Sequence, residues 1–489
     1  MTEKEREFFR LIRQAIFTNP FDKERLATDK KALELAGEGA QEGVLSRLVH
    51  EVTQTLTLLK KRGETLHSAI SAEDKELIAY AHLFSLYHQY CDLYDKHILE
   101  QIQAGEKSCA VSFAAEALRA LYRAGFVPAD ALRFFALFFQ IRRAFYFISR
   151  IVGDSASMQD LRRSLWNNIF SQNISLYNHY LWNRMEDFST LLFGETGVGK
   201  GMTAAAIGRS GFIPFQEKNY SFTESFVAAF TEVNLSQYAQ ELIESELFGH
   251  RKGAFTGAME NHQGVLQRCS PCGAIFLDEI GDVSLPIQIK LLKVLQERKF
   301  YPVGSYQTER FSGRVIAATN QDLTRLRQAG AFRDDFYYRL SSDNIEIPPL
   351  RKRLTEHPGE LTQLLSVVVH RIVNIEEKDN NLVGQIEEYL IASQPENYRW
   401  PGNIRELEQC VRQYLLRGTY NWQMERRHNP QDPYQKLAMD MAAGSLSAAE
   451  VQSRYCRLLH GKLGTYDAVA KVTALDRRTV KKYVGEKTD

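Results

Sequence analysis

The sequence predicts a multidomain chain: an all-α N-terminal domain, a central α/β domain with a helical lid, and a C-terminal helix-turn-helix. Three observations carry that prediction. Residues 1–150 hold apolar side chains at helical spacing with few Gly or Pro breaks. Residues 190–350 alternate short β-rich runs with helical ones, and the last 45 residues are helical again.

A chain of 489 residues exceeds one typical domain. With 44% hydrophobic and 25% charged residues it has apolar material for several cores. No stretch approaches the ~18 apolar residues of a membrane span. The nearest, Phe134 to Phe139, is bracketed by Arg133, Gln140, Arg142 and Arg143. The first six residues, Met1 to Arg6, are charged and lack the apolar core of a signal peptide. A cytoplasmic protein without membrane contact is expected. The net charge of +1 means that any DNA contact must come from a local basic cluster.

Taken in order, the N-terminal domain is expected over residues 1–150, with Leu77, Tyr80, Phe84, Tyr87 and Cys91 as one example of its helical spacing. The aromatic helix around Phe134, Phe135, Phe138, Phe139, Phe145 and Tyr146 fits a core or a dimer face, with a ligand pocket as the alternative. The ligand of this domain is not legible. The character changes near Ile151-Val152-Gly153. Strands at Leu191–Phe193, Ala274–Leu277 and Val315–Ala318, separated by helices, argue for a parallel sheet. Pro348-Pro349 ends the α/β part (151–350), and a helical lid follows (351–420). Residues 421–444 read as a linker, polar from Asn421 to Pro433, ahead of a domain over 445–489. The six cysteines make no disulfide framework. Cys269 and Cys272 form one CxxC without a second pair at zinc spacing. They read as two small buried residues before a core strand, with a redox role as the alternative.

Gly194-Glu195-Thr196-Gly197-Val198-Gly199-Lys200 follows an apolar strand and precedes a helical run from Met202, the context a phosphate-binding loop requires. Its glycines let backbone N–H groups close on phosphate oxygens, the helix N-terminus adds partial positive charge, and Lys200 adds a full one. The Ser or Thr that normally follows the lysine and binds Mg²⁺ is Gly201 here, so that ligand is missing. Ala274-Ile275-Phe276-Leu277-Asp278-Glu279 is a buried-type strand delivering two carboxylates. Asp278 suits Mg²⁺ and Glu279 suits the attacking water. Loop and acidic strand together indicate an NTPase that takes its nucleotide with Mg²⁺.

Between the two motifs stands Gly253-Ala254-Phe255-Thr256-Gly257-Ala258. This hexapeptide resembles the GAFTGA loop of bacterial sigma-54-dependent transcription activators, which are AAA+ ATPases. The resemblance runs from about Ile151 to Gly418. It implies that Gly253 to Ala258 contact sigma-54. It also implies a sensor at Asn320 near the γ-phosphate, arginine fingers at Arg333 and Arg339 reaching a neighbouring subunit, a lid arginine at Arg405, and Asn234 pairing with Glu279 as a switch. The family usually has Glu where this chain has Gly201, and the segment from Trp166 to Ser189 is longer than usual. Its Tyr177, Tyr180 and Trp182, with Trp166, are expected near the adenine.

Ser447-Ala448-Ala449-Glu450 has capping-box spacing, and Asp476 suits a second helix start. Val480 and Val484 face inward at i, i+4, leaving Arg477, Arg478, Lys481 and Lys482 outward. This end resembles a Fis-type helix-turn-helix; the alternative is a small bundle with a solvated basic face. The resemblance as a whole implies an activator that binds double-stranded DNA upstream of promoters. It would assemble as a homo-oligomer, dimer to hexamer, and use ATP hydrolysis to remodel the closed complex of sigma-54 RNA polymerase into the open one. A DNA-binding regulator that keeps the AAA+ fold without engaging sigma-54 is the second reading; the intact hexapeptide argues against it.

Overall fold

The N-terminal periodicity is realised as six helices. In the computed structural model, which describes residues 1–36, 43–68, 71–373, 380–422 and 433–485, these are α1 (Glu3–Phe17), α2 (Lys23–Ala36), α3 (Val44–Lys61), α4 (Ala72–Ala104), α5 (Ala114–Ala124) and α6 (Pro128–Ser149). Their ends follow capping chemistry: a Thr2/Glu5 box opens α1, Ser71 caps α4, and Pro128 stands in the first turn of α6. Gly125 ends α5 at φ 101°, a left-handed turn that a side chain would strain.

The central part begins with α7 (Ala156–Phe170) and the short α8 (Ile174–Leu176), then runs β1 (Thr190–Phe193), α9 (Lys200–Gly208), β2 (Phe215–Gln216), β3 (Ser221–Phe222), β4 (Phe230–Asn234), α10 (Gln240–Phe248) and α11 (Val265–Arg268). It continues through β5 (Ala274–Asp278), α12 (Leu285–Glu297), β6 (Lys299–Phe300), β7 (Glu309–Arg310), β8 (Arg314–Thr319), α13 (Leu323–Gln328), α14 (Asp334–Leu340) and β9 (Asp343–Glu346). Five strands form one parallel sheet in the order β4-β5-β8-β1-β9. All of β8, and β5 up to Leu277, are buried, as strands covered by helices on both faces must be. The expected lid is α15 (Leu350–Glu356), α16 (Glu360–Val373), α17 (Asn380–Ser393) and α18 (Asn403–Arg417).

The N-terminal helices do not stand apart from this body. Phe139 of α6 stacks on Phe222 at 4.2 Å and Phe135 meets Phe215 at 4.6 Å, so the β2–β3 hairpin is seated in the N-terminal core. Val111 N–H donates to Tyr220 O at 2.7 Å, and the Ser225 hydroxyl to Gly105 O at 2.7 Å. Residues 1–392 and 398–418 are one compact unit.

The second unit comprises residues 393–397 and 419–489. It contains α19 (Pro433–Ala442), α20 (Ala448–Leu463), α21 (Tyr466–Thr473) and α22 (Arg477–Gly485). The linker expected over 421–444 is corrected here for its second half. Residues 433–442 are a helix with Leu437 buried, Tyr434 bonded to Leu458 O at 3.1 Å and Asp440 paired with Arg454 at 2.8 Å. The first half lies largely outside the described residues.

Candidate functional site

Parallel sheets bind ligands beyond the carboxyl ends of their strands. Here β5, β8 and β1 are neighbours, with Phe193 beside Thr319 and Leu277 beside Ala317. That register brings together the loop after β1, Asp278-Glu279 after β5 and Asn320 after β8. Gly197 and Gly199 take left-handed conformations at φ 82° and 104°. A Cβ on Gly197 would lie 2.3 Å from Gly402 O, so the loop admits only glycine there. Gly199 caps α9 without a side-chain bond, leaving the first-turn N–H groups of Lys200, Gly201 and Met202 for an anion. Lys200 is 7% exposed and its Nζ donates to Gly194 O at 3.1 Å and Glu195 O at 3.4 Å.

The two carboxylates are half-buried. Burial pushes both above the ordinary carboxylate range, against the pull of Lys200. Asp278 accepts from Glu279 N–H at 3.0 Å. Glu279 sits in the left-handed region at φ 56°, 4.0 Å from Lys200 Nζ, and its buried Oε2 has no hydrogen-bond partner. A buried carboxylate oxygen left open beside a lysine and a phosphate-type loop is suited to holding a water for attack. The donors fit Mg²⁺ in part: Asp278 offers a carboxylate, while position 201 offers no hydroxyl. A Cβ at Gly201 would stand 3.5 Å from Glu232 Oε1 and 3.9 Å from Phe276, ordinary contact distances.

The lid is docked on the loop. Ile404 N–H donates to Gly197 O at 3.0 Å, and Arg405 is exposed with its charge felt at Asp278. Two residues that carried no assigned role in the sequence hold this junction. Arg351 grips Glu195 with two bonds of 2.6 and 2.8 Å. Asn403 accepts from Leu350 N–H at 2.7 Å and donates to Glu195 Oε2 and Thr196 O, both at 3.1 Å. Its signal was conformational: Asn403 is left-handed at φ 51°, which Asn tolerates. Asn320 Nδ2 reaches Thr196 Oγ1 at 3.0 Å. The backbone of Val198 continues the loop into α9.

Some expectations are met differently. Asn234 Oδ1 accepts from the N–H of Ser236 at 3.0 Å and its hydroxyl at 2.8 Å, capping its own turn, and no bond to Glu279 is made. Arg333 is exposed and pairs with Asp335 at 2.7 Å. Arg339 points inward, donating to Leu295 O at 3.1 and 2.7 Å at the end of α12. The aromatics expected near the adenine serve other contacts. Trp166 packs on Phe170 and Phe21, Tyr177 exchanges hydrogen bonds with Gln140 of α6, Trp182 meets Phe212, and Tyr180 is exposed. Burial raises the Cys269 and Cys272 thiols to about 12, against a redox role. Among the described residues no group of three or more His, Cys, Asp and Glu could hold a metal ion, and no helix is long and apolar enough to cross a membrane.

Gly253 to Ala258 form an exposed loop with its two glycines left-handed at φ 80° and 100° and open space around both. Gly253 N–H closes on Ala258 O at 2.9 Å, Ala254 N–H bonds Arg251 O, and buried Ala258 anchors the base. Phe255 is 41% exposed with its ring edge on His250, and Thr256 is exposed at the tip. In the second unit, Val480 of α22 is buried on Cys456, Leu459 and Val469. Asp476 accepts from Arg478 and Thr479 N–H groups at 2.8 and 3.1 Å, and Arg477, Arg478, Lys481 and Lys482 are all exposed, Arg477 lying 3.4 Å from Asp467.

Residues 171–346 match the family described as the Sigma-54 interaction domain. The chain is 35% identical over 272 residues to the Nif-specific regulatory protein of Azotobacter vinelandii, covering 56% of this chain and 45% of that one. It is 39% identical over 229 residues to the sigma54-dependent transcriptional activator SfnR of Pseudomonas putida (47% and 57%). It is 35% identical over 265 residues to the DNA-binding transcriptional regulator NtrC of Proteus hauseri (54% and 48%). The chain thus spans about half the length of the curated relatives it matches.

Proposed function

We propose, from the match of residues 171–346 to the Sigma-54 interaction domain, that this chain is a sigma-54-dependent transcription activator that hydrolyses ATP to open the promoter complex. The observation that carries the reading is the pairing, in one domain, of an exposed Gly253–Ala258 loop with a Glu279 carboxylate whose Oε2 is left open beside a phosphate loop.

In this reading the N–H groups from Gly194 to Met202 and the Lys200 ammonium bind the ATP phosphates. Asp278 would hold Mg²⁺, which would supply charge neutralisation for the phosphates. Glu279 accepts a hydrogen bond from the attacking water and orients it. Asn320 and Arg405 read the γ-phosphate from the sheet edge and the lid. Arg333, which is exposed and pairs with its neighbour Asp335, reaches a second subunit as a finger in this reading; Arg339 would first have to leave Leu295 O. The Asn234 carboxamide releases Ser236 to pair with Glu279 in another nucleotide state. Phe255 and Thr256 press on sigma-54. The N-terminal helices form a regulatory domain. The α20–α22 unit binds double-stranded DNA as a Fis-type helix-turn-helix, with Arg477, Arg478, Lys481 and Lys482 on phosphates and base edges.

Strand opening at a sigma-54 promoter tests the proposal. The wild type with ATP should open it, and Glu279→Gln should bind ATP yet open nothing. Opening by the Glu279→Gln protein at the wild-type rate would refute the assignment.

A further inference from the structure

Between the N-terminal helices and α7–α8 lies a cavity of about 710 Å³, in the range of small-molecule sites. It opens to solvent at one side, as a concave ligand site does, and is not a sealed void. Its wall is rich in aromatic rings, with Tyr80, Phe84 and Tyr87 from α4, Phe138 and Phe145 from α6, and Trp166 from α7. Such rings offer stacking and edge contacts to another ring.

The charges in the wall are neutralised in place. Arg25 Nε lies 3.0 Å from both oxygens of Asp29, and Arg142 makes two bonds of 2.5 Å to Asp95. Burial lowers His88 to about 3, so its ring is uncharged at neutral pH. Asp92 stands at the exposed rim. The polar groups at the α8 end are also engaged: Arg133 holds the Asn178 carbonyl and carboxamide oxygens at 2.9 and 2.6 Å. An anionic ligand, or a cation seated beyond reach of Asp92, would give up its hydration with no free counter-charge to meet, a costly transfer. A neutral ring system meets no such cost.

We propose that this cavity is a binding site for an uncharged, predominantly aromatic small molecule. The site is built across two parts of the chain: α1–α4 and α6 supply most of the wall and the α7–α8 segment closes it. Helix α6 presents Leu137, Phe138 and Ile141 to the cavity. Its next residues turn to the phosphate-loop helix, where fully buried Arg143 donates to Arg209 O and Gly211 O, both at 2.7 Å.

The test uses the full chain and two dyes of nearly the same shape, neutral N-phenylnaphthylamine and its anionic sulfonate, anilinonaphthalene sulfonate. The neutral dye should saturate at one per chain, bind about tenfold or more tighter than the sulfonate, and be displaced by biphenyl. Val49→Trp and Ile141→Trp, which fill the cavity from α3 and α6, should each abolish binding while the melting transition stays cooperative. Non-saturating fluorescence, equal affinity for the two dyes, or unchanged binding in folded Trp variants would each overturn the proposal. If neither variant folds, the dye preference and the biphenyl displacement on the wild type decide it.

Discussion

At position 201 a single missing side chain sets the character of the phosphate loop. Glycine there removes the hydroxyl that such loops place on Mg²⁺ and costs the start of α9 roughly 0.5–1 kcal/mol of helix stability. Nothing blocks its return, because the nearest groups lie 3.5 and 3.9 Å from a Cβ. Gly201→Ser should therefore fold at least as stably and bind ATP several-fold tighter in Mg²⁺ but not in EDTA, as titration with a fluorescent ATP analogue would show. Equal affinity in both conditions would mean that the loop has no use for the hydroxyl. The two arginines of the 333–339 segment separate in the same way. Arg339→Ala removes a guanidinium bonded to Leu295 O and should lower stability by about 1.5–3 kcal/mol. Arg333→Ala should leave the melting temperature in place, with a change within roughly 0.5 kcal/mol, and cut ATP hydrolysis of the assembled protein by on the order of a thousandfold. Thermal melting and steady-state hydrolysis of both variants would check this. At this scale the sequence was most legible where the chemistry is local. The glycines, Lys200 and the Asp278-Glu279 pair announce themselves within a few residues of a strand. The Arg351 grip on Glu195 joins residues 156 positions apart and follows no spacing rule.

Helix α6 shows what periodicity leaves open. Its aromatic sequence allowed a core, a dimer face or a ligand pocket, and the structure uses it as both core and cavity wall. Neither outcome is visible in the helix alone, because the partners are the β2–β3 hairpin and α7, which come later in the chain. Arg143 is the polar exception in this helix. Its guanidinium is fully buried and drawn down to about 9 by that burial, yet it is held by two carbonyls at the carboxyl end of α9. A cation at that end also meets the negative pole of the helix. Arg143→Met should cost about 1–3 kcal/mol by leaving the Arg209 and Gly211 carbonyls without this donor, and a denaturant titration would show it as a lower midpoint. An unchanged midpoint would mean that the contact contributes nothing to the fold. The same packing bears on removal of residues 1–150. Phe215, Phe222 and Phe226 would lose their cover, so the remaining chain should self-associate before its hydrolysis rate can be read.

Across the whole molecule, boundaries were the least legible feature. The central strands and the helices that follow them fall where the patterns put them, since hydrophobic period and capping residues act within one element. The division into units depends on which apolar faces meet, and that joined the N-terminal helices to the central body and gave α19 to the C-terminal unit. The central claim also lives at this scale: one chain couples a nucleotide site to an exposed loop that acts on sigma-54. The most direct measurement is binding of the purified protein to sigma-54 in ADP with a metal fluoride that mimics the transferring phosphate, beside Thr256→Ala. The account predicts a stable complex for the wild type and none for Thr256→Ala, with ATP hydrolysis retained in both. A wild-type protein that hydrolyses ATP but forms no complex, or a Thr256→Ala protein that forms the same one, would contradict it.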